Sequence, residues 1–261
     1  MSRYLSAIWK CRYFWLSLVQ MDLRNRYRRS VVGMGWSLLN PIAMTTVICL
    51  VFPRFMPQIK SVNHYAPMVL VGLCFWNFIS SAARLGTKCL IHSERYIRQY
   101  PAPMAIYPLR LALGGAFHFL IALAVVLVMR CCLIGFSDLH TFISLVPTVL
   151  MIFVLAWSVS LLVGFATAYF PDIEHLADVG LQILFYATPI VYSPSAIQGK
   201  LGLLIRLNPL TTFVELLHAP LIHGQFPDAS LFATGLLITA GFAGVSMLTV
   251  SRFEKKIIFQ L

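Results

Sequence analysis

Long runs of residues without a charged side chain recur along this sequence, and they constrain its fold more than any other feature. The first run, residues 31–52, holds 22 residues, and the longest, residues 141–170, holds 30. A helix needs about 20 apolar residues to cross the hydrocarbon core of a bilayer. Runs of this length therefore predict membrane-spanning helices. The longest run exceeds one crossing, so it must tilt, kink near Pro147 or project from the bilayer.

Six such runs divide the chain, and its composition agrees with a membrane protein. Charged residues make up 11% of the chain and hydrophobic residues 59%, whereas a soluble domain has about 25% charged residues. We therefore predict an all-α integral membrane protein with six transmembrane helices, which excludes a soluble fold. The six predicted spans are residues 31–52, 65–83, 111–129, 141–170, 179–192 and 229–251.

Lysine and arginine are distributed unequally between the two sides of this predicted topology. If the N-terminus is cytoplasmic, 15 of the 20 basic residues lie on the cytoplasmic side and five outside. Basic residues favour cytoplasmic loops, so the bias predicts that both termini are cytoplasmic. The net charge of +11 is also typical of nucleic-acid binding. Because the basic residues lie at the edges of apolar runs, we expect membrane lipids, and no nucleic acid, as their partners.

Residues 1–30 are too polar to span the bilayer. Apolar side chains recur every three or four residues from Leu5 to Leu23, and four arginines lie within residues 24–29. The pattern predicts an amphipathic helix over residues 4–29 in the cytoplasmic interface, preceding a single six-span domain over residues 31–261. Trp9 and Trp15 are expected at headgroup depth. The alternative is a basic flank that only sets the orientation of the first span.

The longest inner loop, residues 84–110, contains a segment that can form a short helix parallel to the membrane. Ser93 can cap this helix, and Glu94 suits its first turn. Ile97 and Tyr100 can share one face, which suits docking into a groove on a soluble partner. The alternative is a simple connector between two spans.

Residues 199–228 contain apolar pieces of five to eight residues, each too short to cross the bilayer. Charged residues, Asn208-Pro209 and Pro220 interrupt them. Irregular backbone at membrane depth is tolerated only where protein or water covers it. We therefore predict two short helices that dip into the outer leaflet, with a plain external loop as the alternative.

The sequence lacks the groups that a membrane enzyme or an ion-coupled transporter needs. The predicted spans contain no ionisable residue except His118, which is expected to be a packing residue, although intramembrane charges usually mark function. A cluster of polar residues at a helix start contains Asp172, Glu174, His175 and Asp178. Acidic residues in this position favour the helix dipole, so we prefer this explanation to a metal site. The six cysteines are expected to be small apolar residues. Any pump built on this chain must therefore obtain its energy from another subunit.

Four ordered blocks carry a resemblance to a known family. They are "RNRYRRSVVGMGWSLLNPIAM" (24–44), "PMAIYPL" (103–109), "PDIEHLADVGLQILFYATPIVYS" (171–193) and "NPLTTFVELLHAPLIHG" (208–224). The chain resembles the ABC-2-type membrane subunits that export polysaccharides, the Wzm-like permeases for O-antigen, capsule or teichoic acid. Two positions depart from the family pattern: Met104 replaces a basic residue and Pro171 replaces an arginine.

The resemblance implies a permease that is not itself an enzyme and binds no cofactor. Two copies are expected to form a channel in the bacterial inner membrane, above a separate ABC ATPase dimer that binds ATP and Mg. The expected substrate is a lipid-linked polysaccharide. The alternatives are the same architecture exporting a teichoic polymer, lipid or drug, and a stand-alone scaffold or membrane enzyme.

The candidate site residues fall into four groups. Coupling to the ATPase is predicted for Ser93, Glu94, Arg95, Ile97, Arg98, Tyr100, Pro103 and Pro108. Lipid headgroup contacts at the entrance, beside the alternative of lipid anchoring alone, are predicted for Arg24, Arg26, Arg28, Arg29 and Trp36. Channel lining by sugar-stacking aromatic rings, beside the alternative of lipid-facing or packing residues, is predicted for Phe75, Trp76, Phe78, Phe185, Tyr186 and Tyr192. The outer gate is predicted to contain Asn208, Pro209, Glu215 and His218.

Overall fold

The computed structural model describes residues 2–28, 33–55, 61–99, 102–135, 139–192 and 199–257, and within these ranges every regular element is helical. The all-α prediction is therefore confirmed. The α-helices are α1 (Ser2–Lys10), α2 (Arg12–Tyr27), α3 (Trp36–Phe55), α4 (Val62–Lys88), α5 (Glu94–Gln99), α6 (Ile106–Leu133), α7 (Leu139–Ile143), α8 (Leu145–Tyr169), α9 (Ile173–Ala187), α10 (Gly199–Leu207), α11 (Pro209–His218) and α12 (Ala229–Ile257).

Five helical segments among the described residues are long and apolar enough to cross a membrane. They are α3, α4, α6, the α7–α8 pair and α12, and they correspond to five of the six predicted spans. The remaining predicted span, residues 179–192, coincides with most of α9, whose 15 residues reach only about 22 Å. Helix α9 ends at Ala187 because Thr188, which is extended, precedes Pro189.

Several spans extend beyond the charged residues that were predicted to close them. Pro53 and Arg54 lie inside α3, Arg84 lies inside α4, and Arg130 lies inside α6. A charged side chain marks a polar environment but does not disfavour helical backbone, because arginine is a good helix former. The break in the longest run falls at Ser144, so that Pro147 stands in the first turn of α8, where its missing N–H is tolerated.

Helix α4 is the central element of the fold. In its most apolar stretch of 18 residues 83% are buried, against 17% in α3 and in α12. It packs against α3, α6, α8, α9 and α11. Two glycines allow its closest contact: a Cβ on Gly86 would lie 2.8 Å from Ser160 Cα of α8, and one on Gly164 of α8 would lie 2.9 Å from Gly86 O.

The N-terminal segment forms two helices, whereas one helix over residues 4–29 was predicted. The prediction of a continuous helix is wrong at Cys11, whose φ of −87° and ψ of 17° leave the helical region. Ile8 and Leu18 are buried, and α2 packs against α6. Leu5 and Trp9 are 53% and 64% exposed, so the segment has one face on the protein and another that remains open.

Two hydrophobic clusters hold the helices together. The larger lies around α4 and joins α6, α8 and α11. The smaller, which we name the cytoplasmic cluster after the side of the membrane predicted for both termini, contains Ile8, Leu18, Leu90, Tyr107, Phe165 and Ile257. It therefore connects the N-terminal helices, the loop after α4, the start of α6, and the ends of α8 and α12. All six cysteines lie in the described ranges as free thiols.

Candidate functional site

A polar cavity of about 380 Å³ opens between α2, α3, α4 and α6. Two arginines, Arg26 of α2 and Arg84 of α4, line it together with the amides of Asn40 and Asn77. Guanidinium and amide N–H groups are donors suited to phosphate oxygens. The remaining lining includes Trp36, Ser37, Ser80, Ser81, Phe78 and His118.

The structure brings together only some of the predicted headgroup residues. Arg26 and Trp36 line this polar cavity. Arg24 and Arg28 are exposed outside it, and Arg29 lies outside the described residues. The cavity also contains Arg84, which the sequence analysis did not select because it assigned that residue only to the end of a span.

His118, the ionisable residue within the predicted spans, lines the same cavity from α6. It is 9% exposed, and its ring meets the ring of Phe117 edge-on at 5.7 Å. His118 is therefore largely packed, as the sequence predicts, and it also lies at the wall of a polar cavity.

A second cavity, of about 540 Å³, lies between α4 and α9. Three predicted lining residues meet there: the ring centroids of Trp76 and Phe185 are 5.4 Å apart in an edge-to-face arrangement, and Tyr186 follows at 5.4 Å from Phe185. Gln182 and Asp178 add hydrogen-bonding groups to the same wall. Aromatic faces beside polar side chains match the apolar ring faces and hydroxyl groups of a sugar.

The other predicted lining residues lie elsewhere. Phe75 has no exposed surface and stacks on Phe213 with ring centroids 6.4 Å apart, so it offers no face to a polymer in this conformation. Phe78 lines the polar cavity and stacks on Phe119. The Tyr192 hydroxyl donates a hydrogen bond to the carbonyl oxygen of Tyr186 at 3.1 Å.

Two ion pairs join the C-terminal end of α4 to the N-terminal half of α9. Arg84 Nε lies 3.2 Å from Asp178 Oδ1, and Lys88 Nζ lies 2.6 Å from Glu174 Oε1. The two basic residues are four positions apart on α4, and the two acidic residues are four positions apart on α9. Because the helices are antiparallel, one turn of α4 pairs with one turn of α9. The acids lie near the start of α9 and the bases near the end of α4, which suits both helix dipoles. The exposed Arg84–Asp178 pair contributes little stability alone.

Arg84 belongs to both cavities. Its guanidinium therefore stands between the polar cavity and the aromatic one, with Asp178 as its acidic partner. A ligand that replaced Asp178 as the partner of Arg84 would also loosen the contact between α4 and α9.

Helix α5 corresponds to the predicted coupling helix. A 3₁₀ turn over Ile91–Ser93 runs directly into it, so Ser93 has no open helix end to cap. The Ser93 hydroxyl is buried and makes no hydrogen bond within the described residues, so the predicted capping role is wrong. Glu94 instead forms an ion pair with Arg98 at 2.8 Å, four residues along the same helix.

One face of α5 packs on the protein itself. Tyr96 meets Phe14 of α2 edge-on at 6.5 Å, and Ile97 is half-buried against the cytoplasmic cluster. Arg95 and Arg98 are exposed. Tyr100, the other predicted docking residue, lies outside the described residues. The open surface of α5 is therefore basic. Pro103 follows in the connecting loop, and Pro108 is buried in the first turn of α6.

The predicted outer gate region contains two short helices, α10 and α11. Asn208 caps α11: its side-chain oxygen accepts a hydrogen bond from Leu210 N at 3.0 Å, with Pro209 at the first helical position. Its amide also donates to the Ala187 carbonyl at 3.2 Å and to Thr188 Oγ1 at 2.9 Å. Asn208 thus ties the start of α11 to the end of α9. Glu215 is half-buried, and His218 is buried at the end of α11.

A buried arginine holds the turn that follows α11. Arg130 of α6 is 2% exposed; its Nε donates to Leu221 O at 2.9 Å and one Nη to Gly135 O at 2.6 Å. Its guanidinium also lies 5.2 Å from the ring centroid of Phe142. Leu221 lies in a single π-helical turn, Ala219–His223. Such turns depart from the α-helical hydrogen-bond pattern and occur frequently at functional sites.

Comparison with known families identifies the architecture. The family described as ABC-2 type transporter matches residues 13–222, most of the chain. The chain belongs to this ABC-2 membrane family. It is 24% identical over 226 residues to the O-antigen export system permease protein RfbA of Klebsiella pneumoniae, covering 85% of this chain and 86% of that protein. It is 26% identical over 234 residues to the RfbA protein of Myxococcus xanthus, covering 88% of each.

Several residues of this ABC-2 subunit that the structure brings into the site are not among the predicted site residues. For Asp178 and Glu174 the sequence favours a contact with the helix dipole over a metal site, whereas in the structure they pair with Arg84 and Lys88. For Arg130 the sequence predicts only the end of a span. A basic residue four positions from another, near a helix end, is the only sequence signal that could have indicated the ion pairs, and it does not identify their partners.

Proposed function

We propose that this chain is the membrane-spanning subunit of an ATP-driven exporter of lipid-linked polysaccharide, of the O-antigen or capsule type. The observation that carries the proposal is the likeness to relatives named as O-antigen export permeases, which extends over 85–88% of the chain. The sequence adds a physical argument. A chain with no acidic residue in its predicted spans has no evident means to couple transport to an ion gradient, so the energy comes from ATP.

In the proposed assembly, two copies of the chain form a channel in the bacterial inner membrane, with both termini cytoplasmic. Helix α9 and the segment after it provide the sixth crossing. The open apolar face of α9 supports this, because Leu176 and Ile183 are each 64% exposed in the single chain and would be covered by lipid or by the second copy. Residues 1–30 lie in the interface and residues 31–261 form the membrane domain. This chain binds no cofactor, and ATP and Mg belong to a separate ABC ATPase dimer.

The polysaccharide passes along the aromatic cavity in this proposal. Trp76, Phe185 and Tyr186 provide stacking surfaces, which bind hydroxylated rings without many strong hydrogen bonds that would stop sliding. Tyr192 lies further along the same route. The α10–α11 region, with Asn208, Pro209, Glu215 and His218, forms the outer gate above it.

The lipid diphosphate of the substrate binds in the polar cavity, between Arg26 and Arg84. Both guanidiniums line one space, and arginine binds phosphate through paired N–H donors. The double substitution Arg26→Ala/Arg84→Ala is therefore expected to lower export about tenfold or more, because a hydrogen bond to a charged group contributes about 1.5–3 kcal/mol. The measurement is surface polysaccharide per unit of permease in the membrane.

Two controls separate this role from general charge and from helix packing. Arg24→Ala removes an exposed arginine of α2 that does not line the cavity, and Glu174→Gln breaks the neighbouring ion pair between α4 and α9 at a residue that lines neither cavity. Both variants are expected to retain most of the export. Equal losses in the double variant and in Arg24→Ala would contradict a phosphate site in this cavity.

The proposed ATPase contacts α5, whose open surface contains Arg95 and Arg98. A tagged chain solubilised gently is expected to co-purify with a soluble ATPase subunit and to hydrolyse ATP. Reversing the charge at both arginines, Arg95→Glu/Arg98→Glu, is expected to reduce both the co-purified subunit and the hydrolysis severalfold. The matched control is Arg252→Glu on α12, another exposed arginine. Purification of the chain alone at several detergent strengths would contradict the proposed function.

A further inference from the structure

One carboxylate oxygen near the end of α12 joins two distant parts of the chain. Glu254 Oε1 accepts a hydrogen bond from the Tyr4 hydroxyl at 2.8 Å and another from the Met104 backbone N–H at 2.8 Å. Tyr4 belongs to α1, and Met104 lies in the loop between α5 and α6. These contacts span 250 and 150 residues of sequence. A single side chain thus fixes three separate elements at one point.

Ala105, the next residue of the same loop, makes hydrogen bonds through both of its backbone polar groups. The Ala105 N–H donates to the Tyr4 hydroxyl oxygen at 3.4 Å, and the Ala105 carbonyl accepts from Trp157 Nε1 of α8 at 3.1 Å. Met104 and Ala105 are 3% and 2% exposed. Buried backbone groups need partners, and here the partners come from α1, α8 and α12. We name these contacts of Tyr4, Met104, Ala105, Trp157 and Glu254 the loop anchor.

The chemistry of the loop anchor makes its contacts strong. Hydrogen bonds to an ionised carboxylate are shorter and stronger than those between neutral groups. Burial, together with the charge and the hydrogen bond of Glu254, raises the pKa of Tyr4 above its ordinary value. The phenol therefore remains a donor throughout the physiological range. Tyr4 and Glu254 are each half-buried, which shields the contact from water.

The anchored loop lies between α5 and the start of α6. Residues 102–105 separate α6 from the segment that follows α5, and Ile97 of α5 packs on the same cytoplasmic cluster. A displacement of α5 is therefore transmitted to this loop within a few residues. From there the loop anchor connects it to α12 on one side and to the N-terminal helices on the other.

We infer that Glu254 is a positioning residue that couples the movement of α5 to α12 and α1 through its contacts with Met104 N and the Tyr4 hydroxyl. The inference rests on the proposed function in one respect, namely that α5 receives the motion of the ATPase. Glu254 lines neither of the two cavities described above, so its role is to transmit movement and not to bind the substrate. Its loss is expected to separate ATP hydrolysis from transport without preventing either ATPase binding or hydrolysis.

The test measures polysaccharide exported per ATP hydrolysed by the complete complex in proteoliposomes loaded with lipid-linked polysaccharide. Glu254→Ala removes the acceptor and is expected to lower this ratio about fivefold or more, consistent with the loss of charge-assisted hydrogen bonds. Glu254→Gln keeps an acceptor oxygen but loses the charge, so it is expected to restore part of the ratio, because hydrogen bonds between neutral groups are weaker. Tyr4→Phe removes one donor, retains the ring and is expected to give a smaller reduction. Arg252→Ala, an exposed neighbour on α12, is the matched control.

The outcomes distinguish the inference from the proposed function. A wild-type complex that exports, together with an unchanged ratio in both Glu254→Ala and Tyr4→Phe, overturns the inference alone, even if the amount of folded protein falls. A wild-type complex that hydrolyses ATP but moves no polysaccharide overturns the proposed function, and the inference with it. A lower ratio in Glu254→Ala that Glu254→Gln does not restore also overturns the inference, because the contact then depends on something other than an acceptor at this position.

Discussion

Replacing Gly164 by alanine is expected to lower the thermal stability of the detergent-solubilised protein. A Cβ at this position would lie 2.8 Å from Cys89 Sγ and 2.9 Å from Gly86 O, and the second of these is backbone that cannot rotate away. The helices α4 and α8 must therefore separate, at a cost of about 1–3 kcal/mol. The measurement is the midpoint of thermal unfolding, followed as loss of the folded peak in size-exclusion chromatography.

Gly114→Ala is the matched control for this substitution. Gly114 also lies in a long apolar helix, α6, but nothing lies within 4 Å of an added Cβ. Alanine favours helix by about 1 kcal/mol over glycine, so this variant is expected to unfold at the same temperature or higher. If the two variants unfold at the same midpoint, the close contact of α4 with α8 is not a determinant of stability.

Replacing Arg130 by methionine is expected to destabilise the region around the Ala219–His223 turn. The change removes the guanidinium N–H groups that donate to Leu221 O and Gly135 O. Both carbonyls then lose a charged hydrogen-bond donor. The guanidinium desolvation cost is also removed, which offsets part of the loss. We expect a net loss of about 2 kcal/mol or more, seen as a lower unfolding midpoint and as faster proteolysis near the Ala219–His223 turn.

Arg54→Met provides the comparison, because Arg54 is an exposed arginine at the end of another span. It is expected to leave both the unfolding midpoint and the proteolysis of the Ala219–His223 turn unchanged. Arg130→Lys keeps the charge but cannot reproduce two donors in the same plane, so an intermediate result is expected. Equal behaviour of Arg130→Met and Arg54→Met would mean that Arg130 does not hold the π-helical turn.

The membrane-spanning helices could be predicted from the sequence because their signal is local. An uncharged run of about 20 residues permits little else in a bilayer, and five of the six predicted spans coincide with long apolar helices. The helix ends could not be predicted in the same way. Arg84 and Arg130 indicate a change of environment, but helical backbone continues past both. Their partners, Asp178 and the Leu221 carbonyl, lie in distant parts of the sequence.

The candidate site was predictable only where one segment carries it. Arg26 and Trp36 belong to a single basic-to-apolar boundary, and both line the polar cavity. The acidic partner of Arg84 in the site, Asp178, comes from a distant part of the chain. The loop anchor likewise joins Glu254 to Tyr4 across most of the sequence. Periodicity and composition contain no information on which residues meet across such distances.

The central position of α4 gives the fold a mechanical property. Its 27 residues form a rod about 40 Å long. Near one end it leads through the Ile91–Ser93 turn into α5, and near the other the Tyr65 hydroxyl bonds to Val191 O beside the α10–α11 region. Because packing on several sides resists bending, a tilt of about 5° at one end moves the other by about 3–4 Å over this length. A tilt of α4 at its α5 end would therefore move its opposite end by several ångströms, with no other helix needed to relay the displacement.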